Sequence, residues 1–143
     1  MEMNINNTER DTRVIYKRDT SAGPGPELMG ASTLVGNEVY NRDDEAVGVI
    51  KEIMLDMRSG RVAYAVLSFG SLLGLGAKLF AVPWIALTLD TANKRFALNV
   101  DKSRLQSAPG FDKDQWPNMA DSAWAKSIHE YYGTRSESPE PRP

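Results

Sequence analysis

The most constraining feature of this sequence is a series of short apolar runs between Leu34 and Val100, divided by polar or glycine-containing turns. Most runs alternate apolar and polar residues with a period of two, and none has the spacing of a long amphipathic helix. The pattern predicts six strands: Val35–Tyr40, Val47–Met57, Arg61–Phe69, Leu79–Trp84, Ile85–Leu89 and Phe96–Val100. Regularly spaced short strands indicate an all-β antiparallel barrel or sandwich, and closure of a barrel would remove its exposed edges.

Two of these strands carry more detailed predictions. The strand Val47–Met57 is too long for simple alternation, so we predict a one-residue β-bulge near Lys51–Glu52. The residues that this bulge would place on one face are Gly48, Ile50, Ile53, Leu55 and Met57. The strand Arg61–Phe69 is apolar on both faces, which is typical of a strand that is covered on two sides.

The residues after the strands predict a C-terminal helical extension. One helical turn is expected at 101–106, and a longer helix is expected to begin after Asp121 or Ser122. This helix should run through Tyr132, because Gly133 can adopt the left-handed conformation that ends a helix. Its apolar face consists of Trp124, Ile128 and Tyr131. We expect this face to pack on the outer face of the third strand.

These predictions divide the chain into four parts. Residues 1–27 form a flexible N-terminal tail that is rich in polar residues, although Val14–Tyr16 could dock as an edge strand. Residues 28–100 form the barrel, and residues 101–133 form the helical extension. Residues 134–143 are expected to be disordered, because they bury too little apolar surface to offset the entropy of ordering.

The composition removes most well-marked enzyme classes. The chain has no cysteine and one histidine, which excludes disulfides, cysteine nucleophiles, thiolate zinc sites and the HExxH zinc motif. Its 17 Lys and Arg residues and 19 Asp and Glu residues are evenly spread, so no basic stripe predicts nucleic-acid binding. Its apolar runs are too short for a membrane span, and its start is polar, so we expect a cytoplasmic protein. We predict no cofactor and no metal.

Two segments of the sequence resemble the PRC-barrel domain family: GNEVYNRDDEAVGVIKEIMLDMRSGRVAYAVLSFG and KLFAVPWIALTLD. The matching positions include Gly36, Gly60, Tyr64 and the Ala81–Trp84 run, which are mainly turn and core positions. The similarity covers roughly residues 30–100, and APGFDKDQWPNMAD extends it toward stand-alone bacterial members. The resemblance implies a small six-stranded antiparallel β-barrel that docks on larger assemblies and carries no catalytic motif.

The apolar loop 70–76, which we call the leucine loop, is the most informative functional segment. The loop is rich in glycine but does not match a phosphate-binding P-loop, because the GxxxxGK[ST] motif is absent. One interpretation is a loop whose leucines pack on its own barrel. The other is an exposed tip that docks on a second copy or on a partner, since contiguous exposed leucines are unusual unless they bind something. The predicted interface residues are Leu72, Leu73, Leu75, Phe69 and Trp116.

Other candidate residues have structural explanations that we favour. The acidic segment Asp43–Glu45 lacks the spacing of a calcium loop and is interpreted as a solvated turn. His129 is expected at the surface or at an interface, since the sequence has no Gly-x-Ser-x-Gly motif for a catalytic serine. Asp56 and Asp90 are expected to accept hydrogen bonds from turn amides. Trp84 should pack in the barrel.

Three functional hypotheses follow. The leading one is a non-enzymatic interaction module that self-associates, as a homodimer, or docks on a larger complex through the leucine loop. The second is a barrel that binds a small ligand or cofactor, although six strands leave little internal volume. The third is an accessory role in RNA or ribosome processing, by analogy with a ribosome-maturation factor that contains the same domain.

Overall fold

The computed structural model describes residues 13–15, 28–69, 78–90, 92–93 and 95–135 of the chain. Its strands are β1 (Arg13–Ile15), β2 (Glu38–Tyr40), β3 (Ala46–Asp56), β4 (Arg61–Phe69), β5 (Lys78–Pro83), β6 (Leu87–Asp90) and β7 (Arg95–Leu98). Its α-helices are α1 (Ala31–Leu34), α2 (Lys102–Gln106) and α3 (Ser122–Tyr132), and a 3₁₀ turn covers Trp84–Ala86. The prediction of a mainly β domain with a C-terminal helix is therefore confirmed.

The strands form one curled sheet in the order β1-β6-β7-β2-β3-β4-β5. Most neighbours are antiparallel, as predicted, but β2 pairs parallel with β7 and β1 pairs parallel with β6. The 3₁₀ turn at Trp84–Ala86 joins β5 to β6 without forming a hairpin, and β7 then runs parallel to β2. The sheet is a half-barrel whose described ladder ends at β1 and β5, so hydrogen-bonded closure is not observed in this part of the chain.

The predicted bulge in β3 is confirmed. Ile50 pairs with Leu67 and Glu52 pairs with Val66, so Lys51 is the extra residue. The bulge places both Ile50 and Ile53 against the same core, as the sequence pattern indicated. Leu55 and Met57 of the same predicted set are not buried with them, since Leu55 is 51% exposed and Met57 is 85% exposed. Both residues lie beyond the end of the packed core.

Strand β4 separates two apolar clusters, which we call the inner and outer clusters. The inner cluster fills the concave side of the sheet and includes Leu67, Phe80, Phe96 and Leu98. The outer cluster lies between the sheet and α3. Its members are Tyr64, Ala81 and Ile128, with Met54, Ala63, Phe111, Met119, Trp124 and Tyr132 packed around them. The prediction that α3 covers the outer face of a strand that is apolar on both sides is therefore confirmed for Trp124 and Ile128, whereas Tyr131 packs against the inner cluster.

Helix α3 begins and ends as its sequence predicted. The Asp121 carboxylate accepts a hydrogen bond from the Ala123 amide at 3.0 Å, which satisfies one free amide of the first turn. Gly133 adopts a φ of 69°, in the left-handed region, and its amide bonds back to the last turn. Among the described residues, no helix has the length and apolarity needed to cross a membrane.

The N-terminal strand β1 was also foreseen in part. Val14 and Ile15 pair parallel with Leu89 and Asp90, at the outer edge of the sheet, whereas Tyr16 lies outside the described residues. Helix α1 was not predicted. Residues 35–37, which were assigned to the first strand, instead connect α1 to a shorter β2.

Candidate interaction surface

The hairpin of β4 and β5 brings both ends of the leucine loop to one end of the sheet. The two strands pair without interruption from Tyr64 opposite Pro83 to Phe69 opposite Lys78. Residues 70–77 connect this last pair, and they lie outside the described residues. Leu72, Leu73 and Leu75 therefore have no structural account, and their role remains a prediction.

Phe69 forms the base of this hairpin end. Its side chain is half-buried and packs against the inner cluster. The Phe69 ring meets the Phe80 ring edge-on, with centroids 6.5 Å apart. Phe69 is therefore held in place by the inner cluster, while part of its surface stays accessible. Its contact with a partner remains a prediction.

Trp116 is brought to the same strand by the extension after α2. Its side chain is 42% exposed, and its indole Nε1 donates to the Lys113 carbonyl at 2.9 Å. The Trp116 ring lies 5.0 Å from the Phe111 ring. Phe111 forms two backbone hydrogen bonds of 2.9 Å with Leu79 of β5. Trp116 is therefore anchored, through Phe111, next to the strand that leaves the leucine loop.

This attachment depends on the absence of a side chain at Gly110. A Cβ atom there would lie 2.9 Å from the Leu79 carbonyl oxygen, from Cε of Lys78 and from a ring carbon of Phe80. The extension can approach the edge of β5 only because glycine leaves this space free. The bridge also occupies part of the backbone edge of β5, which lies at one end of the strand order.

His129 lies elsewhere than the sequence suggested. It is only 7% exposed, on the face of α3 that packs against the sheet, so the expectation of a surface residue was wrong. Its ring lies 5.8 Å from the Tyr64 ring, and its Nδ1 is 2.7 Å from the Thr134 hydroxyl. Burial disfavours the charged form and lowers the pKa of His129, and it raises the pKa of Tyr64 to about 12. The predicted apolar face of Trp124, Ile128 and Tyr131 did not include His129, which lies one residue after Ile128 and is buried with it.

The acidic residues in turns behave as structural groups. Asp56 accepts hydrogen bonds from the Arg58 amide and the Ser59 hydroxyl, which lower the pKa of Asp56. Asp90 accepts from the Asn93 side chain and from turn amides, and these bonds lower the pKa of Asp90. The predicted turn role of both carboxylates is confirmed.

The Asp43–Glu45 segment is also a turn. Asn41 is 7% exposed, and its side-chain oxygen accepts from the amides of Asp43 and Glu45 at 2.9 and 3.0 Å. Asp44 adopts a φ of 62° and forms an ion pair with Arg95. Within the described ranges, His, Asp and Glu residues form no group of three that could hold a metal ion.

Comparison with known proteins identifies the domain. A family model for the PRC-barrel domain matches residues 26–105, which include β2–β7 and nearly all of α2. Helix α3 and the bridge at Phe111 lie outside the matched residues. A search of curated proteins found no match to this chain. More than half of the chain fits the family model, and the observed half-barrel agrees with it, so this protein belongs to the PRC-barrel domain family.

Proposed function

We propose that this protein is a non-enzymatic interaction module that docks, through the hairpin end of β4 and β5, on a second copy of itself or on a larger protein complex. PRC-barrel domains are known as modules for protein interaction and assembly. The observation that carries the proposal is the register that places the ends of the leucine loop side by side, next to Phe69. Trp116, which is 42% exposed, reaches the same strand through Phe111 and adds apolar surface.

The charge pattern and the core support a protein partner over other ligands. The 17 basic and 19 acidic residues are evenly mixed, which favours a protein partner over nucleic acid. The concave side of the sheet is filled by apolar side chains such as Phe80, Phe96 and Leu98, all at most 1% exposed, and this favours a surface role over a ligand held inside the barrel. We place the interaction in the cytoplasm.

The proposal is tested by Leu73→Asp. Full burial of a leucine side chain in an interface stabilises binding by about 1.5–3 kcal/mol, so the variant should weaken association by about tenfold or more. Native mass spectrometry and pull-down from the original host, with wild-type and variant chains side by side, measure the effect. Circular dichroism should show an unchanged thermal transition, which distinguishes weaker docking from unfolding.

The matched control is Leu28→Asp, which places the same charge at a leucine that is 67% exposed and far in sequence from the hairpin. This control should retain its association. If Leu73→Asp retains the same partners and the same mass in solution as the wild type, the leucine loop is not the docking surface.

A further inference from the structure

A surface cavity of about 330 Å³ lies at the carboxyl ends of β2 and β7. The two strands are parallel neighbours, with Tyr40 opposite Ala97, so their chains leave the sheet side by side. Residues 41–45 then turn back into β3, whereas residues 99–101 lead into α2. A crevice forms where the chains that follow neighbouring parallel strands leave in different directions. One wall of this crevice consists of residues 41–43, and the other consists of residues 99–101 and Arg104.

The lining of this cavity is polar and carries equal numbers of positive and negative residues. Every lining residue except Val100 is polar, and the charged ones are Arg42, Asp43, Asp101 and Arg104. Among the described residues, the ion pairs involve other arginines, so these two guanidinium groups have no carboxylate partner. The Asp101 carboxylate forms no cap bond to α2. Unpaired charges of both signs therefore line one cavity.

Arg42 is held in place by a neutral side chain from the opposite wall. Its Nε donates a hydrogen bond to the side-chain oxygen of Asn99, and this bond joins the two walls. Within the described part of the chain, both Nη groups of Arg42 are left without a partner. A guanidinium group with free Nη hydrogens can donate two parallel hydrogen bonds to one carboxylate.

Arg104 is held in place by helix α3. Its guanidinium group lies over the Tyr131 ring, 4.4 Å from the centroid, and one Nη donates to the Tyr131 carbonyl at 2.5 Å. The Tyr131 hydroxyl donates in return to the Arg104 carbonyl at 2.5 Å. Tyr131 lies outside the residues that the family model matches, so the C-terminal extension supplies this support. Both guanidinium groups are thus positioned by neutral partners that leave their positive charge uncompensated.

We propose that this cavity binds a small zwitterion of the α-amino acid class. The ligand carboxylate accepts hydrogen bonds from Arg42 and Arg104, and the ligand ammonium group donates to Asp43 and Asp101. A simple anion would meet the two carboxylates with its own negative charge, whereas a zwitterion compensates both sets of charges. The volume is at the lower end of the range for small-molecule sites, roughly 300–1,000 Å³, which suits a free amino acid.

The cavity is separate from the proposed docking surface. The leucine loop follows Phe69 and precedes Lys78, at the hairpin end of β4 and β5. Strand β5 lies at one end of the strand order and pairs with neither β2 nor β7. The inference assigns a ligand to the carboxyl ends of the parallel pair and does not rest on the proposed role of the leucine loop.

Isothermal titration calorimetry of the full chain with L-glutamine tests the proposal, because glutamine adds a polar side chain to the two charged groups. The wild type should bind it saturably. Arg42→Gln should raise the Kd by about tenfold or more, because it removes charge-assisted hydrogen bonds. Asp101→Asn should raise the Kd by about threefold or more, because it removes one partner of the ammonium group. Arg61→Gln, at an exposed position of β4, is the matched control and should leave the Kd unchanged.

Two further probes separate a zwitterion from a simple anion. Glutaramate is glutamine without its ammonium group, and it should bind the wild type more weakly than glutamine does. Tighter binding of glutaramate or of inorganic phosphate than of glutamine would overturn the proposal. So would a wild type without saturable glutamine binding, or an Arg42→Gln variant with the wild-type Kd. Circular dichroism of each variant establishes that a loss of binding does not come from unfolding.

Discussion

The two sides of strand β4 are both buried, but they are built differently. The inner cluster contains aliphatic and aromatic side chains from six strands, and its central members are fully buried. The outer cluster is smaller, and it depends on one helix, α3, that lies outside the residues matched by the family model. The inner cluster therefore forms the core of the domain, and the outer cluster attaches the C-terminal helix to it.

The outer side also contains buried polar side chains. His129 is 7% exposed and faces Tyr64. The Tyr132 hydroxyl is buried without a hydrogen-bond partner among the described residues, and burial raises the pKa of Tyr132. A buried polar group without a partner costs free energy, so the Tyr132 hydroxyl offsets part of the stabilisation that burial of its ring provides. We expect the two sides to respond differently to substitution and to pH.

The largest effect is expected from Phe96→Ala on the inner side. Phe96 is fully buried and packs edge-on against Trp84 with ring centroids 5.4 Å apart. Truncation should lower the free energy of unfolding by about 3–5 kcal/mol, through lost burial and the cavity that remains. Urea denaturation followed by circular dichroism measures the change. A loss below about 1 kcal/mol would contradict the central role of the inner cluster.

A smaller and more local effect is expected from Ile128→Ala on the outer side. Ile128 is 1% exposed and is the residue of α3 at the centre of the outer cluster. The substitution should cost about 2–4 kcal/mol locally, and it should release α3 before the sheet unfolds. Hydrogen exchange should show faster amide exchange in 122–132 and unchanged protection in β3 and β4. Equal loss of protection in the sheet would show that the two sides form one cooperative unit.

The smallest effect concerns the pH dependence of the outer side. Burial lowers the pKa of His129, so below the ordinary histidine value of about 6.5 the unfolded chain carries a proton that the folded chain lacks. Stability should therefore fall as the pH drops from 7 through 6.5, and it should level off below the pKa of the folded state. His129→Gln removes the titrating group and should flatten this dependence, measured by thermal unfolding between pH 7 and 5.

Two other groups titrate in a different range. The pKa values of Asp56 and Asp90 are lowered in the folded state. The stability that these carboxylates contribute is therefore lost only as the pH falls below about 4. An unchanged slope between pH 7 and 5 in His129→Gln would mean that the outer side is not the pH-sensitive one.

Local patterns in the sequence were enough to predict much of this structure. The bulge at Lys51, the cap at Asp121 and the stop at Gly133 follow from parity and backbone chemistry within a few residues. The resemblance to the PRC-barrel family rested instead on similarity at turn and core positions between Gly36 and Trp84, which lie within the residues that the family model matches. The apolar character of Arg61–Phe69 on both faces indicated that another element must cover it.

Only the tertiary structure decided which elements meet. It packed His129 against Tyr64, attached Trp116 to β5 through Phe111, and left Leu55 and Met57 exposed. The parallel pairing of β2 with β7 depends on a 3₁₀ turn at Trp84–Ala86 that the strand pattern does not reveal. The physical reason is that periodicity fixes the face on which a residue lies. Whether that face is covered depends on residues distant in the chain.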